Sequence, residues 1–223
     1  MAQTPVEGLR LYGVATVDGA SVTSLAAGTS LVPFRLLGAV VAPGKYTRVS
    51  LDDKEMNEYT RILEEVQSNA PVLPAPPGTV FRTRENLARW LELHYFTLTQ
   101  AIGMVEGHSE ARVKIIKSPS DDPPKETSAE VKEHMKELAA VASDSLRVLR
   151  GQAAATISLP VAEDDTTVIA HASFLVDTEH WGIFTELVAK EDQRHTDLDF
   201  QVTGPWPPYD FVRMELAARD VLS

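Results

Sequence analysis

Apolar positions along residues 9–17 (Leu-Arg-Leu-Tyr-Gly-Val-Ala-Thr-Val) alternate in part and are rich in strand formers, which predicts a first strand. After a loop holding Gly and Ser, residues 31–41 predict a second strand, entered late because Pro33 has no amide to give to a ladder. An antiparallel pairing of the two is the simplest. Ser50 with Asp53 three residues on predicts a helix start, and Met56, Tyr59, Ile62 or Leu63, and Val66 follow at helical spacing until Pro71. Residues 71–81 read as a proline-broken extended segment ending in a short strand. Thr83 is placed to cap the next helix, where Leu87, Leu91, His94, Leu98 and Ile102 keep one face with Trp90 beside them. Residues 111–117 alternate, turning Val113 and Ile115 towards a core.

Residues 118–126 (Ser-Pro-Ser-Asp-Asp-Pro-Pro-Lys-Glu) give the strongest linker signal. They place an N-terminal domain at 1–118, a linker at 119–127 and a C-terminal domain at 128–223. Thr127 and Glu130 form a capping box, and Val131, Met135, Leu138, Ala142, Ser145 and Leu149 continue a helical stripe to Gly151. Strands near 153–160 and 166–176 flank the acidic turn Ala162-Glu163-Asp164-Asp165, a predicted hairpin. Asp177 or Thr178 caps a further helix with Trp181, Phe184, and Leu187 or Val188 inward, and residues 198–203 alternate as a strand. Residues 210–214 can return along a sheet edge; beyond them a frayed end and a short helix both fit. Strands and helices in this order predict an α+β fold, with helices on one face of an antiparallel sheet in the first half and the same layer logic in the second.

Between that last strand and the tail lies Gly204-Pro205-Trp206-Pro207-Pro208-Tyr209, followed by Asp210 and Phe211. Its prolines fix φ and remove amide donors, and the residues before them are pushed to extended conformations. The aromatic rings are therefore held in fixed directions. Two roles follow: a stiff corner whose Trp206, Tyr209 and Phe211 close one end of a core, or a preformed aromatic surface for a partner. The fixed ring of Trp206 suits packing, while Tyr209 suits a shared role because its hydroxyl can stay wet.

Composition narrows the function classes. The formal charge of -11 over 223 residues leaves no cationic excess for nucleic acid or an anionic membrane surface. The absence of cysteine excludes disulfides, thiolate metal sites and cysteine nucleophiles. No run approaches the ~18 apolar residues of a membrane span, and the first residues lack the marks of a secretion signal.

Candidate chemistry is sparse. His94, His108, His134, His171, His180 and His195 fall in different predicted elements, and none forms the His-x-x-x-His or His-Glu-x-x-His spacing of a metal site. His94 sits on an apolar helix face, and His134 with Glu137 reads as a solvated pair. Asp52-Asp53 and Asp164-Asp165 occupy a helix start and a turn, where carboxylates serve local backbone bonding. The nucleophile elbow, the phosphate-binding loop and the dinucleotide fingerprint are all missing. Catalytic residues, metal ligands and cofactor sites are therefore expected to be none.

The string Gly204-Pro205-Trp206-Pro207-Pro208-Tyr209 resembles the C-terminal signature of the gas vesicle protein F/L family (GvpF/GvpL). Pro71-Val72-Leu73-Pro74 and Gly78-Thr79-Val80-Phe81 between two helices, with Val113-Lys114 in the following strand, fit the same pattern. Two elements depart from it: Pro76-Pro77 stand where Arg-Phe usually precedes the glycine, and Asn57-Glu58 stand near a usual His-Glu pair. The resemblance implies two modified ferredoxin-like halves in series. It also implies a non-catalytic cytoplasmic accessory protein, without cofactor, that works with the hydrophobic shell protein and other gas vesicle accessory proteins during nucleation or growth. The alternative is a binding module, or an enzyme, that reuses the scaffold for another partner.

Overall fold

The computed structural model describes residues 7–17, 27–118, 128–162, 167–212, 214 and 221–222. Its contacts divide the chain into two units, Met1–Glu106 with Pro207–Ser223, and Gly107–Trp206.

In the first unit β1 (Glu7–Thr16), β2 (Ser30–Phe34), β3 (Leu37–Lys45), β4 (Val72–Pro74), β5 (Val80–Phe81) and β10 (Val221–Leu222) form an antiparallel sheet in the order β10-β5-β1-β3-β2, with β4 also paired to β1. The single strand expected at 31–41 is two strands. Phe34 pairs with Leu37 across the two-residue turn Arg35-Leu36. The turn escapes a sequence reading because it has no Gly or Asn; Arg35 itself adopts φ 55°. Its guanidinium lies over the rings of Phe34 (5.5 Å) and Tyr95 (4.9 Å).

Helix α1 (Asp53–Gln67) starts at Asp52, not Ser50: the Asp52 carboxylate accepts from the Glu55 amide at 2.9 Å. Helix α2 (Arg84–Val105) starts at Thr83 as expected, its hydroxyl accepting from the Asn86 amide. The expected placement of both helices on one face is corrected. Tyr12, Ala15, Val40 and Val72 pack with Tyr59, Ile62, Leu63 and Val66 of α1. Their strand neighbours Leu11, Val14, Ala39, Val41 and Leu73 pack with Leu87, Leu91, Leu98 and Ile102 of α2. Adjacent strand residues point to opposite faces, so each helix covers its own face. Where α1 crosses β1, a Cβ on Gly13 would lie 2.7 Å from the Leu73 carbonyl and 3.0 Å from Leu63 Cδ2, so only glycine fits.

The second unit begins with β6 (His108–Lys117), which the sequence grouped with the first half. It pairs with β8 (Val168–Asp177) and β9 (Leu198–Trp206), and β7 (Ala155–Ser158) completes the antiparallel order β7-β8-β6-β9. Helices α3 (Ser128–Arg150) and α4 (Trp181–Arg194) follow β6 and β8, which makes a β-α-β-β-α-β ferredoxin-like unit. The expected linker at 119–127 therefore joins β6 to α3 inside this unit, and those residues, with the cap Thr127, lie outside the described ones. So do residues 163–166 of the acidic turn, although β7 and β8 pair as the hairpin predicts. Here both helices share one face: Leu138, Ala142, Leu149, Phe184 and Val188 pack on Val113, Ile115, Phe174 and Phe200. Asp177 caps a 3-10 turn, Thr178–His180, that leads into α4. The tail is neither frayed nor helical where it is described, since Val221 and Leu222 pair with Phe81 and Val80.

Candidate functional site

The proline-aromatic string does not act as one local element. Gly204, Pro205 and Trp206 end β9 at a sheet edge, the position a proline tolerates. Gly204 holds φ +126°, and a Cβ there would meet the Glu110 carbonyl at 2.6 Å and Trp181 Cη2 at 2.8 Å. Trp206 is half-buried, and its indole N–H donates to Thr203 Oγ1 at 3.1 Å. From Pro207 the chain belongs to the first unit, where Pro207 and Pro208 are buried and Tyr209, Asp210 and Phe211 are half-buried. The corner is thus not confined to the second half.

Tyr209 is the half of the signature that joins a core. Its ring lies 6.1 Å from that of Tyr59, which stacks 6.3 Å from Tyr12, so three tyrosines from the corner, α1 and β1 form a row. The hydroxyl of Tyr209, expected to stay wet, is buried. Tyr59 donates to the Ala75 carbonyl at 2.5 Å, tying α1 to the chain beyond β4. Tyr12 donates to Glu58 at 3.4 Å and lies under the Arg10 guanidinium, which is ion-paired with Glu55. Burial pushes the Tyr12 phenol up to about 12, helped by Glu58 and opposed by Arg10. Burial also raises Tyr59, with Tyr209 adding to the effect. The row is a packing and hydrogen-bonding device in which burial keeps the phenols of Tyr12 and Tyr59 protonated.

The histidines stay apart in their roles. His94 is half-buried against Trp90, with ring centroids 5.2 Å apart. His134 and Glu137 form an exposed pair at 4.0 Å, and His180 faces Asp177 at 3.5 Å. The backbone amide of Glu179 and, after it, His180 hold the Asp177 carboxyl below its usual range. Among the described residues no group of three His, Asp or Glu is placed to hold a metal, and no helix is long and apolar enough to cross a membrane.

One buried polar contact lies outside the motifs read from the sequence. Ser145 of α3 donates to Glu191 of α4 at 2.7 Å, both side chains buried, with His195 at 3.7 Å and Arg194 at 3.4 Å from the same carboxylate. Glu191 follows Phe184 and Val188 on the inward stripe of α4, and that spacing was the available clue. Asp192, next to it, accepts from the Phe200 amide at 2.9 Å and ties α4 to β9.

The model of gas vesicle synthesis protein GvpL/GvpF matches residues 8–148 and 124–213, which spans both units. The chain belongs to the GvpL/GvpF family. Gas vesicle protein F1 of Halobacterium salinarum is 28% identical over 193 residues, covering 84% of this chain and 82% of that one. Gas vesicle protein F of Haloferax mediterranei is 26% identical over 194 residues, covering 84% and 83%. Crystal structures of GvpF from an Anabaena species and from Microcystis aeruginosa share the fold, with TM-scores of 0.76 and 0.70 at 19% and 18% identity. They cover 94% and 93% of this chain, and 98% and 99% of their own. This GvpL/GvpF member is therefore a gas vesicle protein with the two-sheet α+β architecture of those structures.

Proposed function

We propose that this gas vesicle protein is a non-catalytic assembly component that holds the hydrophobic shell subunit, together with other accessory proteins, while the vesicle nucleates or grows in the cytoplasm. The observation that carries the reading is the family match running through both units, from residue 8 to residue 213. A shell that excludes water through an apolar face needs subunits that aggregate when free. A partner carrying a net charge of -11 keeps such a complex soluble, while exposed apolar side chains such as Leu36 and Leu51 supply area to be buried. The half-buried Trp206 is the member of the signature string that takes part in that contact, while Pro207, Pro208 and Tyr209 pack within the first unit. Co-expression tests this. The shell subunit is expected to remain in the soluble fraction and co-purify with the full chain. A shell subunit that pellets equally with and without this protein would sink the proposal.

A further inference from the structure

Helix α2 carries a second apolar stripe that its own unit does not use. Leu93, Phe96 and Met104 are 77%, 72% and 67% exposed, on the side away from the buried Leu91, Leu98 and Ile102. Leu93, Thr97, Gln100 and Met104 are spaced four, three and four residues apart, the a/d spacing of a coiled-coil seam. From Leu93 to Val105 the helix holds no Asp, Glu, Lys or Arg, in a chain that is 24% charged with a net charge of -11.

We infer that this face is the contact between two copies of the chain, paired through α2 in antiparallel fashion about a two-fold axis. The seam is its own complement. With the axis between Thr97 and Gln100, Leu93 meets Met104 of the second copy, and Thr97 meets Gln100, whose amide and hydroxyl can bond. The same register sets Phe96 beside Gly103 of the second copy, and Gly103 has open space where a Cβ would stand. Bulky side chain faces notch on both sides of the axis, as an isologous contact requires. Charge permits the same occupant: two chains of net charge -11 repel, but this window lets them meet without burying a charge. The seam is about 20 Å long, which places it at or below the roughly 1,200 Å² low end of stable interfaces. The dimer is therefore expected to form in the micromolar range and dissociate on dilution.

Equilibrium sedimentation of the full chain across the micromolar range should show a monomer–dimer equilibrium. Phe96→Glu should weaken it at least about tenfold without lowering the melting temperature, since the ring is exposed in the single chain. The absence of native cysteine allows a geometric check. Oxidised Leu93→Cys/Met104→Cys should link two copies, whereas Leu93→Cys alone should not, because the two substituted positions stand about 16 Å apart along the pair. A chain that stays monomeric at every concentration overturns the proposal. Equal cross-linking by the single variant overturns the antiparallel register. A monomeric chain whose Phe96→Glu variant loses binding to another gas vesicle protein gives the face to that partner instead, and also overturns it.

Discussion

In the first unit each face of the sheet has its own helix, α1 on one and α2 on the other, whereas in the second α3 and α4 share a face. The strands record the difference. In β1, Leu11, Tyr12, Val14 and Ala15 are all buried, as are Leu37 to Val41 of β3 apart from Gly38's lack of a side chain to pack. In β6, Val113 and Ile115 are buried while Arg112 and Lys114 are partly exposed. A sheet covered on both sides reads as an apolar run, and one covered on a single side by helices reads as alternation. The incomplete alternation of residues 9–17 was a sign of two covered faces.

The same contrast sorts the signature string, and the largest expected effect tests that sorting. Tyr209→Ala removes a ring packed in the first unit and should cost about 3 kcal/mol, read as a lower denaturation midpoint. Trp206→Ala, at the half-exposed end of β9, should cost nearer 1 kcal/mol and show itself mainly in capture of the shell subunit. Equal losses from the two would break the division of the string between units.

Ser145→Ala probes the joint that only the second unit has, between two helices on one face. It deprives the buried Glu191 carboxylate of a donor and should cost about 1–3 kcal/mol in urea unfolding. A loss below a few tenths would mean that Arg194 and His195 suffice.

Alkaline pH should act on the first unit through its tyrosine row. Below pH 10 the phenols of Tyr12 and Tyr59 are protonated folded or unfolded, so they add no pH dependence. From 10.0 towards about 12 the unfolded Tyr12 releases its proton while the folded one keeps it. The unfolded state then binds fewer protons and stability falls with rising pH, by up to about 1.4 kcal/mol per pH unit for each tyrosine. Urea unfolding at successive pH values should show this decline, and Tyr12→Phe should make it shallower. A stability that rises across the window would contradict the burial assigned to these rings.

The smallest expected effect belongs to a cut between Ser118 and Lys125, where proteolysis is expected first. Because β6 sits between β8 and β9, the fragments should stay together in size-exclusion chromatography. Fragments that separate without denaturant would restore the boundary drawn from composition.

Local signals proved legible: the helical stripes of α1 to α4, the Thr83 cap and the alternation of β6, whereas Asp177 caps the 3-10 turn and α4 itself starts at His180 without a side-chain cap. What was missed depends on partners distant in sequence. Periodicity shows that Val113 and Ile115 face a core, but not that the core includes Phe174 and Phe200. A proline- and acid-rich stretch announces a loop equally well within a unit or between two. Gly204-Pro205-Trp206-Pro207-Pro208-Tyr209 was visible as a stiff string, yet nothing in it revealed that Tyr59 waits for Tyr209.

The nesting of Gly107–Trp206 between the two parts of the first unit fixes an order of completion on the ribosome. The inner unit is contiguous and can close as soon as β9 has emerged. The outer one has α1, α2 and most of its sheet by then, but lacks Tyr209 beside Tyr59 and the strand that pairs with β5. The part synthesised first is therefore the part finished last, and it is sealed by residues made after an entire independent sheet.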